Sequence, residues 1–133
     1  MYYFAYASNL NLKQMQERCP DSKLMFRAVL PNYKLIFAGW SRKWRSGVAT
    51  IKPSRDEKVF GAVYEISDRC LRVLDGYEGY PAVYDHLNVL VIKEDGEALQ
   101  TVTFVKREQS EETQPSQEYV AVIRQGYRDW GIT

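Results

Sequence analysis

The sequence predicts an α+β fold, a small antiparallel β-barrel flanked by a few helices, on three observations. Seven segments read as short strands, whereas only three segments read as helices. The chain has 133 residues, 45% of them hydrophobic, which suits one compact domain with a real core. No internal repeat and no long linker divides it, so residues 1–133 are expected to form a single domain.

The elements follow in order. Residues 2–6 read as a strand in which Tyr2, Phe4 and Tyr6 share one face, because side chains alternate with period 2. It stops at Ala7-Ser8-Asn9, small residues that suit either a plain turn or a ligand loop. A short helix is next, with Asn11 as its cap and Gln14 placed as in a capping box. Pro20 lies just past its end, and Leu12, Met15 and Cys19 form its apolar stripe. Residues 23–30 and 33–38 read as strands parted by the turn pair Pro31-Asn32. A polar loop over residues 40–46 precedes strands at 48–52 and 59–66. Ser67 caps a second helix that turns Cys70, Leu71 and Leu74 inward and runs down near Gly76. Residues 83–92 and 99–106 form a hairpin whose turn signal is Asp95-Gly96. "REQSEETQ" (107–114) reads as a solvated loop, and Pro115-Ser116 opens a last helix. Along it Tyr119, Val122, Ile123, Gly126, Tyr127 and Trp130 recur at helical spacing.

Net charge is +1, so no bulk electrostatic footprint points to nucleic acid or to a membrane surface. No stretch has the length and apolarity of a signal peptide or a membrane span. Cys19 and Cys70 lie far apart and form no CxxC or zinc-type spacing; they fit a reduced intracellular protein better than a disulfide scaffold. A cytoplasmic protein is the expectation. Ten Tyr, five Phe and three Trp fit either core edges that need a polar tip or a pocket for a polar small molecule.

Common catalytic motifs are absent: no GxGxxG, P-loop, HExxH or GxSxG. His86 is the single histidine and sits mid-strand, where surface exposure or a satisfied core contact is the usual role. "WSRKWRSG" (40–47) interleaves Trp40 and Trp44 with Arg42, Lys43 and Arg45. Such a stretch serves as a surface loop packed on the barrel, as a base-stacking loop, or as a guide for an anionic substrate. "LDGYEGYP" (74–81) sets Glu78 just past a helix among Tyr77, Gly79 and Tyr80. Either Glu78 faces solvent in a turn, or aromatic neighbours desolvate it, raise its pKa and make it an acid/base near neutrality.

Five stretches together resemble the gamma-glutamylcyclotransferase-like family, also described as AIG2-like or BtrG-like. "YFAYASNL" (3–10) is similar to its opening strand and YGSNL loop. "SGVATI" (46–51) and "GAVYEI" (61–66) resemble its central strands. "LDGYEGYPAVY" (74–84) resembles the segment with the family's catalytic glutamate and a following tyrosine, and "PSQEYVAVI" (115–123) its late Pro-Ser-x-x-Tyr segment. The likeness spans nearly the whole chain in the right order.

The resemblance implies an intramolecular acyl transfer without metal or cofactor. The free α-amine of a γ-glutamyl amino acid or amine attacks its own γ-amide carbonyl, giving 5-oxoproline and a released amine. Glu78 is the family-matched catalytic carboxylate. Tyr6, Ala7, Ser8, Asn9, Leu10, Tyr84 and Tyr119 match the positions that bind the γ-glutamyl moiety. The implied partner is a small molecule, with no nucleic acid and no membrane. Two departures stand out. Ala7 occupies the family's usual glycine position, which either demands φ > 0 and strains alanine or tolerates it at another φ. The Glu78-to-Tyr84 spacing is one residue shorter than in the vertebrate-type enzymes. The rival readings are a binding protein that keeps the pocket without turnover, and a single-stranded nucleic-acid module that uses residues 40–45.

Overall fold

The computed structural model of the chain describes residues 1–108 and 111–132. Gln109 and Ser110 of the expected polar loop, and Thr133, lie outside the described residues. The first strand, β1 (Tyr2–Ala5), buries Tyr3, Phe4 and Ala5 alike, so both of its faces are covered. It threads the middle of the molecule, which explains an aromatic strand with no polar face.

Four of the expected strands merge into two. β2 (Lys23–Ser41) and β3 (Ser46–Glu65) pair antiparallel from Lys23↔Glu65 to Ser41↔Ser46. Pro31-Asn32 is therefore a bulge and not a chain reversal, marked by a register shift between Pro31 and Tyr33. Asn32 absorbs it at φ 64°, a left-handed conformation that asparagine tolerates better than most residues. Its side-chain oxygen accepts from the Asp56 N–H at 3.2 Å, closing the bulge from the opposite strand.

β4 (Tyr84–Lys93) and β5 (Ala98–Lys106) form the expected hairpin. Gly96, at φ 89°, returns its N–H to the Lys93 carbonyl at 2.9 Å. The strands close a barrel in the order β1-β3-β2-β4-β5. Every seam is antiparallel except β1 with β5, which is parallel. These two strands stand at opposite ends of the sheet's chain order, so no hairpin dictates their direction. Thr103 pins that seam by donating its hydroxyl to the Phe4 carbonyl at 2.7 Å.

Three α-helices among the described residues cover the barrel. Asn11 caps α1 (Leu12–Arg18) by accepting from the Gln14 N–H, as the sequence predicts. The Gln14 side chain does not complete the capping box; it reaches Asn9 at 3.1 Å. Ser67 caps α2 (Asp68–Glu78), which runs two residues beyond Gly76 and ends at Gly79 in the left-handed region, φ 73°. Glu78 is thus the last residue of a helix and not part of the turn after it. Ser116 caps α3 (Gln117–Trp130), whose buried face carries Tyr119, Ile123 and Gly126. Gly126 lies so close to the chain before α1 that an added Cβ would stand 2.6 Å from the Asn11 nitrogen.

The cysteines depart from expectation: Cys19 and Cys70 form a disulfide, with Cα atoms 5.4 Å apart across 51 positions of sequence. The end of α1 packs on the start of α2, a contact that spacing alone does not reveal. No helix among the described residues is long and apolar enough to cross a membrane.

Candidate active site

Where β1 ends, the chain turns through Ala7 at φ −136° and enters a short 3-10 turn, Ser8–Leu10. That φ lies outside the left-handed region, so alanine does not meet the penalty of a positive φ here. Leu10 and Asn11 return their N–H groups to Ala7 and Ser8, at 3.1 and 3.0 Å. The N–H groups of Ser8 and Asn9 have no carbonyl behind them within the turn. The N-terminus of α1 is not open to a ligand, because Asn11 and the Asp129 carboxylate take its first donors.

Asn9 is the hub that holds this turn. Its buried amide donates to the Tyr3 hydroxyl at 3.0 Å and accepts from Gln14 and Arg18, each at 3.1 Å. The Tyr64 hydroxyl donates to its carbonyl at 2.7 Å. With its side chain so engaged, Asn9 shapes the turn and offers a ligand its backbone.

Three more tyrosines ring the barrel mouth. Tyr6 donates to the Phe104 carbonyl and Tyr84 to the Ala49 carbonyl, both at 2.6 Å. Tyr119 accepts from the Ala49 N–H at 2.9 Å. These bonds fix the Tyr6 ring against the backbone of β5, and the Tyr84 and Tyr119 rings against the two sides of Ala49 in β3. Burial raises the pKa of all three, and the nearby Glu78 charge raises them further, so the hydroxyls stay neutral.

Tyr6, Ala7, Ser8, Asn9, Glu78, Tyr84 and Tyr119 line one inner niche of about 30 Å³, together with Tyr3, Ala49 and Phe104. Leu10 alone among the sequence-predicted site residues does not reach it; its side chain is wholly buried where α3 packs. Glu78 is half-buried as a residue, and among the described lining side chains it is the single carboxylate. Desolvation lifts its pKa from 4.5 to about 7, against the opposing pull of Arg18 and then Lys43. Its place at a helix C-terminus, where backbone carbonyls point outward, also disfavours the charged form.

The niche opens into an outer pocket of about 290 Å³, shared at Ser8, Glu78, Tyr84 and Tyr119. One wall is the Trp-rich basic loop. Trp44 packs on the Tyr119 ring, with centroids 4.8 Å apart, while Arg42 and Lys43 face the pocket. Arg45 does not line it. Arg18 lies over the Tyr77 ring at 4.1 Å, and Lys106 completes the lining from β5. His86 stands outside: it bonds Asp75 at 2.6 Å and stacks on Tyr80 at 3.9 Å. It thereby fastens the turn of α2 just before Glu78 to β4.

Sequence reasoning missed Tyr3, Arg18 and Lys106. Arg18 left a trace, since it continues the stripe of Leu12 and Met15, where a charge is out of place. Tyr3 and Lys106 left none, because they reach the site only through the barrel's closure. The arrangement offers one carboxylate able to take and give a proton near neutrality, neutral hydroxyls, and a basic rim.

The family model "Gamma-glutamyl cyclotransferase, AIG2-like" matches residues 3–125. The chain is 30% identical to a gamma-glutamylcyclotransferase of Homo sapiens and 31% identical to one of Bos taurus. Each match covers 98% of this chain and 71% of the relative. A solved structure of a gamma-glutamyl cyclotransferase superposes with a TM-score of 0.94 at 28% identity, over 99% of this chain and 80% of that one.

Proposed function

This chain belongs to the gamma-glutamyl cyclotransferase, AIG2-like family, and on that premise we propose that it converts a γ-glutamyl amino acid or amine to 5-oxoproline, with Glu78 as the proton relay. The observation that carries the residue assignment is that, among the described residues, Glu78 is the single carboxylate lining both niche and pocket, with a pKa raised to about 7. Residues 1–133 act as one domain in this reading.

Ring closure brings nucleophile and electrophile in one molecule, so holding the substrate folded supplies much of the rate. The protons then need a carrier. The attacking α-ammonium begins with three N–H hydrogens and ends as a lactam nitrogen with one. The other two must reach the leaving nitrogen as the new C–N bond forms and the old amide C–N bond breaks. Ionised Glu78 takes a proton from the α-ammonium, freeing the lone pair for attack on the γ-carbonyl carbon. Protonated Glu78 then delivers it to the departing nitrogen as the old C–N bond breaks, returns to carboxylate, and passes the second proton from the ring nitrogen to the released amine in the same way. A carboxyl at its ordinary pKa would be a weak base for the first step and a scarce acid for the second; burial brings both forms within reach.

In this reading, the Ser8 and Asn9 N–H groups receive the carboxylate of the γ-glutamyl half or the oxyanion of the tetrahedral intermediate. Tyr6, Tyr84 and Tyr119 exclude water and shape the folded substrate. The rival reading, a binder without turnover, rests on Ala7, whose φ of −136° is not the left-handed conformation in which alanine would be strained.

The test is 5-oxoproline release from a panel of γ-glutamyl dipeptides and γ-glutamyl amines by wild type and Glu78→Gln. At least one compound is expected to yield product, with the variant slower by about 10²–10⁴-fold. Full activity in Glu78→Gln would refute the relay, and no product from any compound would refute the reaction.

A further inference from the structure

The outer pocket carries more positive charge than the reaction needs. Arg18, Arg42, Lys43 and Lys106 line it against the single carboxylate of Glu78. None of the four forms a salt bridge among the described residues. Lys23, Arg27, Lys52, Lys93 and Arg107 pair with acids elsewhere, but other cations outside the pocket also stand unpaired among the described residues, so what marks these four is their convergence on one pocket.

Arg18 is the telling member. It is only 9% exposed, yet its partners are the neutral Asn9 amide and the face of Tyr77. The Glu78 charge is near enough to be felt, yet no direct ion pair joins it to Arg18. A buried guanidinium without a paired anion is costly and lasts where an anion arrives to meet it. Lys43 sits over the same Tyr77 ring at 5.4 Å, so two cations flank one aromatic face beside Glu78. Lys106 is also buried, with Glu108 as its acidic neighbour and no direct ion pair to it.

Charge counting then reaches the leaving group, given that this pocket is the cyclotransferase site. Glu78 and the substrate's α-ammonium cancel, whichever holds the proton. The γ-glutamyl carboxylate offsets one cation and leaves three unmatched. A leaving group that carried a positive charge would add to that surplus. One with a single carboxylate would leave much of it. We propose that the outer pocket selects a leaving amine bearing two carboxylates, an acidic amino acid or the acidic end of a peptide, with Arg18, Arg42 and Lys43 as its specificity-determining residues.

The experiment compares γ-glutamyl-glutamate with γ-glutamyl-glutamine, which differ by one charge at nearly constant shape. At low ionic strength kcat/KM should favour the acidic compound by roughly tenfold, and the preference should shrink as salt is added. Arg42→Gln and Lys43→Gln, both at exposed loop positions that do not threaten folding, should each move the ratio toward one. Equal turnover of the two compounds, or a ratio untouched by both substitutions, overturns the assignment and leaves the cyclotransferase reading standing. No 5-oxoproline from either compound overturns the assignment, and the cyclotransferase reading falls with it only if every other γ-glutamyl compound of the panel also yields none.

Discussion

Ala7 and Glu78 show how far single residues carry the site. The small residues of the opening loop suit a close approach of backbone to ligand, and they form a tight turn, Ser8–Leu10, at the edge of the niche. Whether alanine could stand at position 7 depended on a dihedral angle, which residue type alone does not specify. From its own segment Glu78 was readable either as a solvent-facing turn residue or as an acid desolvated by Tyr77 and Tyr80, yet those two rings are themselves exposed. The rings that line its niche come from other elements: Tyr3 of β1, Tyr6 just after it, Tyr84 of β4 and Tyr119 of α3. Its raised pKa has a consequence for stability. Between about 4.5 and about 7 the folded state holds the Glu78 proton more tightly than the unfolded chain does. Stability from this group is therefore lost as pH rises through that window. Glu78→Gln removes the buried charge, so its thermal midpoint relative to wild type should rise between pH ~4.5 and pH ~8. A difference that is constant, or that reverses, would contradict a desolvated Glu78.

Among the elements, whatever is encoded within a few neighbouring residues was readable. Asn11, Ser67 and Ser116 cap their helices as expected, and Asp95-Gly96 turns the β4–β5 hairpin. The long strands β2 and β3 were not readable as such. A bulge and a reversal draw on the same residues, and only pairing across the sheet tells Pro31-Asn32 which to be. The disulfide between α1 and α2 was hidden for the same reason, since its partners meet through helix packing. Gly126 read as one more position on a helical stripe, yet it is where α3 touches the backbone of Leu10 and Asn11. Gly126→Val should cost about 1–3 kcal/mol of stability in denaturant unfolding, as overpacking against an unyielding backbone does. It should also raise KM, because the displaced backbone belongs to the loop that carries Ser8 and Asn9. Unchanged stability would show that the contact is slack.

For the whole molecule, the site exists only once the barrel closes. The turn after β1, Ala49 of β3, Glu78 of α2, Tyr84 of β4, Phe104 of β5 and Tyr119 of α3 meet at one mouth. No local motif contains that set, which is why the sequence announced it only through a likeness running the length of the chain. The net charge of +1 gave no hint of a pocket with four cations, because acids elsewhere on the surface balance them. The central claim is that this closed, aromatic mouth tunes one carboxylate to relay the protons of ring closure. The pH dependence of kcat/KM for 5-oxoproline release from a γ-glutamyl dipeptide tests it most directly. Because the base must be ionised, the rate should fall below a midpoint near pH 7, by about tenfold per unit of pH. A rate that holds constant down to pH ~5 would mean that the group titrating there is not a desolvated glutamate, and the relay assigned to Glu78 would fail.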